Sequence, residues 1–252
     1  MNRHLFRKLG LIVLVTLVLG IGASKGAWGG YKEGLEAYAR GDYVIALREF
    51  RIPAEFGHAR AQFFLGVMYR EGNGVLKDYK HAVNWFRKSA EQGFAEAQFN
   101  LGAMYDGGYG TPKNYKLAVK WYRKSAEQGF AEAQYNLGII YATGQNVPKD
   151  YRIAFRWFRK SAEQGFAKAQ YNLGVMYESG YGTSKNYKLA LKWYRKSARQ
   201  GYAKAQYNLG RMYRDGQGVL KDYKLAFKWY RKGAEQGNTT AQNNLCSANL
   251  LP

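Results

Sequence analysis

The side chains best suited to chemistry are few and far apart. The chain has one cysteine, Cys246, and three histidines, His4, His58 and His81. A lone thiol forms no internal disulfide, no CxxC redox pair and no cysteine zinc site. Three scattered imidazoles supply neither a histidine metal cluster nor a nucleophile–base triad. Acid–base catalysis by paired carboxylates needs two of them converging in one pocket. Here Glu91, Glu127 and Glu163 recur every 36 residues instead, one structural unit apart and next to basic residues that can pair with them. The glycine-rich runs GGYGTPK (107–113), GQNVPK (144–149) and GYGTSK (180–185) lack the GxxxxGK[ST] spacing of a phosphate loop and follow no strand, so they are turns. No metal, cofactor or small-molecule substrate is implied, and the expectation is a non-enzymatic protein.

What the chain does carry is charge. Lys and Arg number 39 against 18 Asp and Glu, a formal charge of +21 over 252 residues. A field of that size attracts polyanions and anionic surfaces. Apolar residues make up 46% and aromatics 16%, enough for a packed core.

Residues 1–24 are expected to be a signal peptide. Arg3, Arg7 and Lys8 precede a 13-residue apolar run, Leu9 to Ile21, followed by the small residues Gly22, Ala23 and Ser24. Such a run is short of the ~20 residues that a membrane-spanning helix needs. The alternative is an N-terminal membrane anchor. Either way the remainder is expected to be exported, to the periplasm or beyond it, or held at the inner membrane.

The rest of the chain repeats itself. Trp85, Trp121, Trp157, Trp193 and Trp229 are spaced by 36, as are Gly93, Gly129, Gly165, Gly201 and Gly237. Five units follow: 58–93, 94–129, 130–165, 166–201 and 202–237. A degenerate pair fills 29–57 and a capping half unit fills 238–252, where Asn238 and Asn243 replace an aromatic of the earlier units. Each unit divides into two amphipathic helices. In 94–129 the first places Ala97, Leu101, Met104 and Tyr105 on one face, and the second places Tyr115, Leu117, Ala118, Val119, Trp121, Tyr122, Ser125 and Ala126 opposite Lys116, Lys120, Arg123 and Lys124. Asp78, Asn114, Asp150, Asn186 and Asp222 stand where the second helix needs an N-cap. The Gly93 series follows that helix where a left-handed residue is wanted. A single helix pair cannot bury its aromatic face alone, so neighbours must stack. The expected fold is all-α, an α-solenoid of antiparallel helix pairs. Pro53 stands where later units have Ser and should distort its helix. Cys246 takes the place of a small Gly and is expected to be buried, with an exposed thiol as the alternative.

AEAQYNLGIIY (131–141) followed by KDYRIAFRWFRKSAEQG (149–165) resembles the Sel1-like repeat family, a relative of tetratricopeptide repeats. The likeness rests on Ala133, Gln134, Leu137, Gly138, Tyr141, Tyr151, Ala154, Trp157 and the AEQG run at 162–165. It implies an adaptor or scaffold that binds peptides or protein surfaces. By the same resemblance the first helices line a concave groove. The stripe opposite their core would then face a partner: Arg60, Phe64 and Val67, then Asn100, Asn136 and Ile139, Asn172 and Val175, Asn208 and Arg211. The four asparagines would form a ladder able to pair with an extended peptide backbone, and Phe64, Val67, Ile139 and Val175 are exposed apolar candidates. The alternative for the asparagines is that each caps a local backbone group.

A second stripe is cationic and expected on the convex face. It comprises Lys116 and Lys120, Arg152 and Arg156, Lys188 and Lys192, Lys224 and Lys228. Net charge is greatest in 166–201 and 202–237, at +6 and +5. An anionic envelope polymer such as lipopolysaccharide, phospholipid or polysaccharide would suit it. Nucleic acid is not expected, because the aromatics follow core spacing and are not interleaved with the cations for base stacking.

Overall fold

A computed structural model describes residues 30–247. The expected signal segment lies outside them, as does the side chain of Cys246. Among the described residues there are helices and no strands, and no helix is long and apolar enough to cross a membrane. The helices are α1 (Tyr31–Arg40), α2 (Tyr43–Glu55), α3 (Ala59–Glu71), α4 (Tyr79–Glu91), α5 (Ala95–Gly107), α6 (Tyr115–Glu127), α7 (Ala131–Thr143), α8 (Tyr151–Glu163), α9 (Ala167–Ser179), α10 (Tyr187–Arg199), α11 (Ala203–Asp215), α12 (Tyr223–Glu235) and α13 (Thr239–Ser247). They group into two compact units divided between Trp121 and Tyr122, within α6. In each unit consecutive helices pack as pairs and the pairs stack in an α-solenoid manner.

The helix boundaries follow from side-chain chemistry. All five expected N-caps accept bonds from first-turn amides of the second helices: Asp78, Asn114, Asp150, Asn186 and Asp222. These bonds satisfy donors that have no partner within the helix. In the inter-helix loop of the fourth repeat, Gly182 (φ +68°) lies so close to the start of α8 that a Cβ would sit 2.1 Å from the Tyr151 carbonyl oxygen. Only glycine fits there, which explains why this loop resembles a phosphate loop in composition yet serves packing.

In the first unit the core joins Ala37, Ala46, Phe50, Ala54, Ala61, Leu65 and Met68. Phe64, expected as an exposed contact residue, belongs to it: its ring stacks on Phe50 at 4.9 Å and meets Tyr38 edge-on at 5.3 Å. Val67, also expected to be exposed, is buried. The physical reason for Phe64 is the degenerate pair α1–α2, whose Tyr38 and Phe50 rings cover an aromatic at the position where later repeats carry Asn. Helix α2 is carried through Pro53 to Glu55. In later repeats the serine at this position donates to the first residue of the paired helix, as Ser89 does to the Ala59 carbonyl at 2.7 Å.

The second unit has one core of Ala154, Phe158, Ala162, Ala169, Leu173, Met176 and Trp193, and another of Ala190, Leu191, Tyr194, Ala198, Ala205, Leu209, Met212, Tyr213, Ala226 and Tyr230. At its end Asn238 accepts a bond from the Ala241 amide at 2.9 Å and caps α13. The aromatics at the corresponding place, such as Phe166 and Tyr202, make no such bond.

Candidate functional site

The constant polar residues are absorbed by the scaffold. Gln134, Gln170 and Gln206 are buried, and each donates to a carbonyl of the preceding pair: Ala126 at 3.0 Å, Ala162 at 3.1 Å and Ala198 at 3.2 Å. Their own oxygens accept from Gln164, Gln200 and Gln236 at 2.7–2.8 Å. Gln62, with the Ala54 carbonyl and Gln92, repeats the arrangement in the first unit. These bonds tie each pair to its neighbour, and leaving them unmade in a buried setting is costly.

The asparagine row is also largely engaged within the protein. Asn100 is buried, donates to the Glu96 carbonyl at 2.7 Å and accepts from Arg70. In the second unit Asn172 lies beside the Tyr135 phenol and Asn208 beside those of Tyr171 and Tyr194, where each amide offsets part of the upward push of burial on the phenol pKa. Asn136 is half-buried and its side chain makes no hydrogen bond among the described residues. Ile139 and Val175 are half-buried, each against one of the unit's two cores. Arg60 is half-buried and lies over the Phe94 ring at 6.0 Å. Arg211 pairs with Glu178, whose other oxygen accepts from Tyr194 at 2.7 Å. A peptide lying on this stripe would compete with internal bonds at Asn100 and Arg211, and would meet an open amide at Asn136.

Lys168 stands on the same stripe as Asn172, and its surroundings could not be read from the sequence. Its ammonium is half-buried, makes no ion pair among the described residues, and desolvation holds its pKa below the ordinary lysine value. A partly desolvated cation without a carboxylate is a standing site for an anionic group. The Tyr194–Glu178–Arg211 cluster was missed as well. Its one sequence signal was Glu178, the sole acid in a repeat of net charge +6.

On the other side of the pairs, Lys116, Lys120, Arg152, Arg156, Lys188, Lys192, Lys224 and Lys228 are all exposed. Their neighbours on the stripe are not all free. Arg123 donates to Tyr141 and Arg195 to Tyr213, both at 2.8 Å. Lys160, Lys196 and Lys232 lie 4.7–5.3 Å over the indoles of Trp157, Trp193 and Trp229. Those cation–π contacts cover ring faces that nucleic-acid stacking would need.

Of the residues weighed for catalysis, His58 caps α3 and His81 pairs with Asp78 at 2.7 Å. Glu91, Glu127 and Glu163 are exposed, and Glu163 lies 3.8 Å from Arg159. Among the described residues no three His, Cys, Asp or Glu side chains cluster as metal ligands.

The Sel1 repeat family model matches residues 59–94, 95–130, 131–166, 167–202 and 203–238. No functionally curated protein matches the chain. A Sel1 repeat protein from Oxalobacter formigenes is 37% identical over 86% of this chain and 86% of its own, with a TM-score of 0.80. The protein c5321, a protective antigen of uropathogenic Escherichia coli with an SLR fold, is 39% identical with a TM-score of 0.81. The match covers 86% of this chain and 47% of c5321, so the chain spans about half of that protein's length. An immunity protein from Pseudomonas aeruginosa, Pa5087, is 25% identical over 95% of this chain and 92% of its own, with a TM-score of 0.50.

Proposed function

This chain belongs to the Sel1 repeat family, whose repeats form a scaffold suited to protein–protein interaction, and from that premise we propose that it is an exported, non-enzymatic adaptor binding a peptide or protein along the first-helix face of its second unit. The observation that supports this most is the unpaired, partly desolvated Lys168 on the same face as the open amide of Asn136. An extended segment carrying a carboxylate would satisfy both at once, the amide pairing with its backbone and the ammonium with its acid. Pull-down from envelope extract, comparing the native chain with Asn136→Ala and Lys168→Ala, tests the reading. A partner held in high salt and lost in both variants supports it; unchanged recovery in both overturns it.

The second reading is electrostatic. The exposed row Lys188, Lys192, Lys224 and Lys228 suits an anionic envelope polymer. Binding would then fall steeply with salt and be abolished by charge reversal at those four positions. Indifference to both would remove this reading. The basic residues Arg3, Arg7 and Lys8 before the apolar run Leu9 to Ile21 support a cleaved leader and a periplasmic or secreted location, with an inner-membrane anchor as the alternative; fractionation of cells carrying the tagged chain decides between them.

A further inference from the structure

One second helix breaks the charge pattern of all the others. At the outward positions where later repeats carry Lys80, Lys116, Arg152, Lys188 and Lys224, helix α2 has Val44. Where they carry Lys88, Lys124, Lys160, Lys196 and Lys232 it has Ile52, and in place of Gln92 and its equivalents it is followed by Phe56. These side chains are not hidden: Val44 is 73% exposed, Ile52 60% and Phe56 74%, with Ile45 beside them. At about 100° per residue, Val44, Arg48, Ile52, Ile45 and Phe56 fall within one ~120° sector of the helix. Arg48, paired with Glu49 at 2.7 Å, Arg51 and the exposed Glu55 punctuate the face, so its cationic part comes from the outward positions of α4 and α6 in the same unit, Lys80, Lys88, Lys116 and Lys120.

We infer that this face of α2 is an apolar contact site for an anionic lipid bilayer, with the cations of α4 and α6 supplying the electrostatic part. The size of the patch favours lipid over a second copy of the chain. A stable protein interface takes about 800 Å² from each partner, and even an aromatic side chain buries only about 150–250 Å². Three of the four side chains here are smaller aliphatics and all four are already partly covered, Ile45 being only 42% exposed, so together they fall short of that. Two copies of a chain carrying +21 also repel each other. Membrane association needs much less, because a weak apolar anchor and a basic patch together hold a protein that neither would hold alone. The site adds an apolar contact to the electrostatic reading and is independent of the first-helix face, so each can fail without the other.

The test uses the full chain in a Cys246→Ser background, with an environment-sensitive fluorophore attached through Val44→Cys and vesicles of phosphatidylglycerol and phosphatidylcholine. The fluorophore is expected to blue-shift on adding vesicles and to be quenched by brominated acyl chains. The decisive variant is Ile52→Lys with Phe56→Gln, which restores the residues every later repeat has and so keeps the fold while raising the net charge. With both anchors replaced by polar side chains, the lipid concentration needed for half the shift is expected to rise at least about tenfold. An undiminished or stronger response from that variant would mean that charge alone binds, and would overturn the inference while leaving the electrostatic reading in place. No shift with vesicles overturns it too. So does a blue shift without vesicles: growing with protein concentration, it assigns the face to a second copy; constant, it assigns the face to the chain's own residues 1–29.

Discussion

Tyr194 donates its phenolic hydrogen to Glu178 across 2.7 Å, although the Tyr194 ring is fully buried. The same carboxylate receives Arg211 from the next repeat, so one acid joins three helices, α9, α10 and α11. Burial first, and the adjacent Glu178 next, push the Tyr194 hydroxyl far above the ordinary phenol range. It is a donor at every physiological pH.

Replacing Tyr194 by Phe isolates that bond, because Phe86 and Phe158 already occupy the equivalent place in other repeats. A hydrogen bond to a charged group is worth about 1.5–3 kcal/mol, and Tyr194→Phe is expected to lose about that much in denaturant unfolding. Tyr230 is the contrast. Its buried hydroxyl has no hydrogen-bond partner among the described residues, and burial pushes its pKa up to about 12. Tyr230→Phe is therefore expected to be neutral or to stabilise by up to about 1 kcal/mol. Equal losses in the two variants would contradict the assignment.

Gly174 lies under the Tyr194 ring, and a Cβ there would sit 2.6 Å from ring carbon Cδ1. Alanine normally improves a helix interior by about 1 kcal/mol over glycine. Here overpacking is expected to win, so that Gly174→Ala costs about 1–3 kcal/mol. Gly138→Ala, with Phe158 at 2.5 Å, should behave alike. A raised melting temperature in either variant would show that the ring has room.

The glutamine ties between pairs predict a loss without a change of volume. Gln170→Met keeps the shape of the side chain but removes two bonds, one to the Ala162 carbonyl and one from the Gln200 amide, each of which keeps a bond to Gly165. A cost of about 1–3 kcal/mol is expected, read from the unfolding midpoint. If Gln170→Met unfolds like the native chain, water replaces these bonds at no loss.

His58 makes the stability of the first unit pH-dependent. Its Nδ1 accepts from the Ala61 amide at 3.1 Å, which requires a neutral ring, and burial followed by the nearby Arg60 charge lowers its pKa below 6.5. The unfolded chain takes up its proton first as pH falls. The contribution is thus fully present above about pH 6.5 and is lost as pH falls through the lower folded value. A cap of this kind is worth about 1 kcal/mol. Asn at this position caps without titrating, so His58→Asn should flatten stability between pH 7 and 5. An unaltered slope would assign the pH dependence to other groups.

Much of this was legible in one sequence because the repeat supplies its own comparison. Five copies in phase separate what packing demands, such as the Trp85 series and the N-caps Asp78 to Asp222, from what varies. Helix period, capping and left-handed glycine are local properties, determined by a few adjacent side chains whatever lies beyond them. The exposed state of the eight cations from Lys116 to Lys228 followed from the same periodicity, since each stands opposite a core face.

What only the tertiary structure decided is which polar groups meet across repeats. The spacing of Asn100 and Arg211 placed both on the first-helix stripe but could not tell that Arg70 and Glu178 engage them, or that Tyr135, Tyr171 and Tyr194 lie beside Asn172 and Asn208. Phe64 looked like a contact residue until Phe50 and Tyr38 of the degenerate pair closed over it. The unpaired charge of Lys168 and the three-helix junction at Glu178 were equally hidden. Hydrogen bonds and desolvation depend on distances of a few ångströms between residues some 16 to 37 positions apart, and those distances exist only once the pairs have stacked.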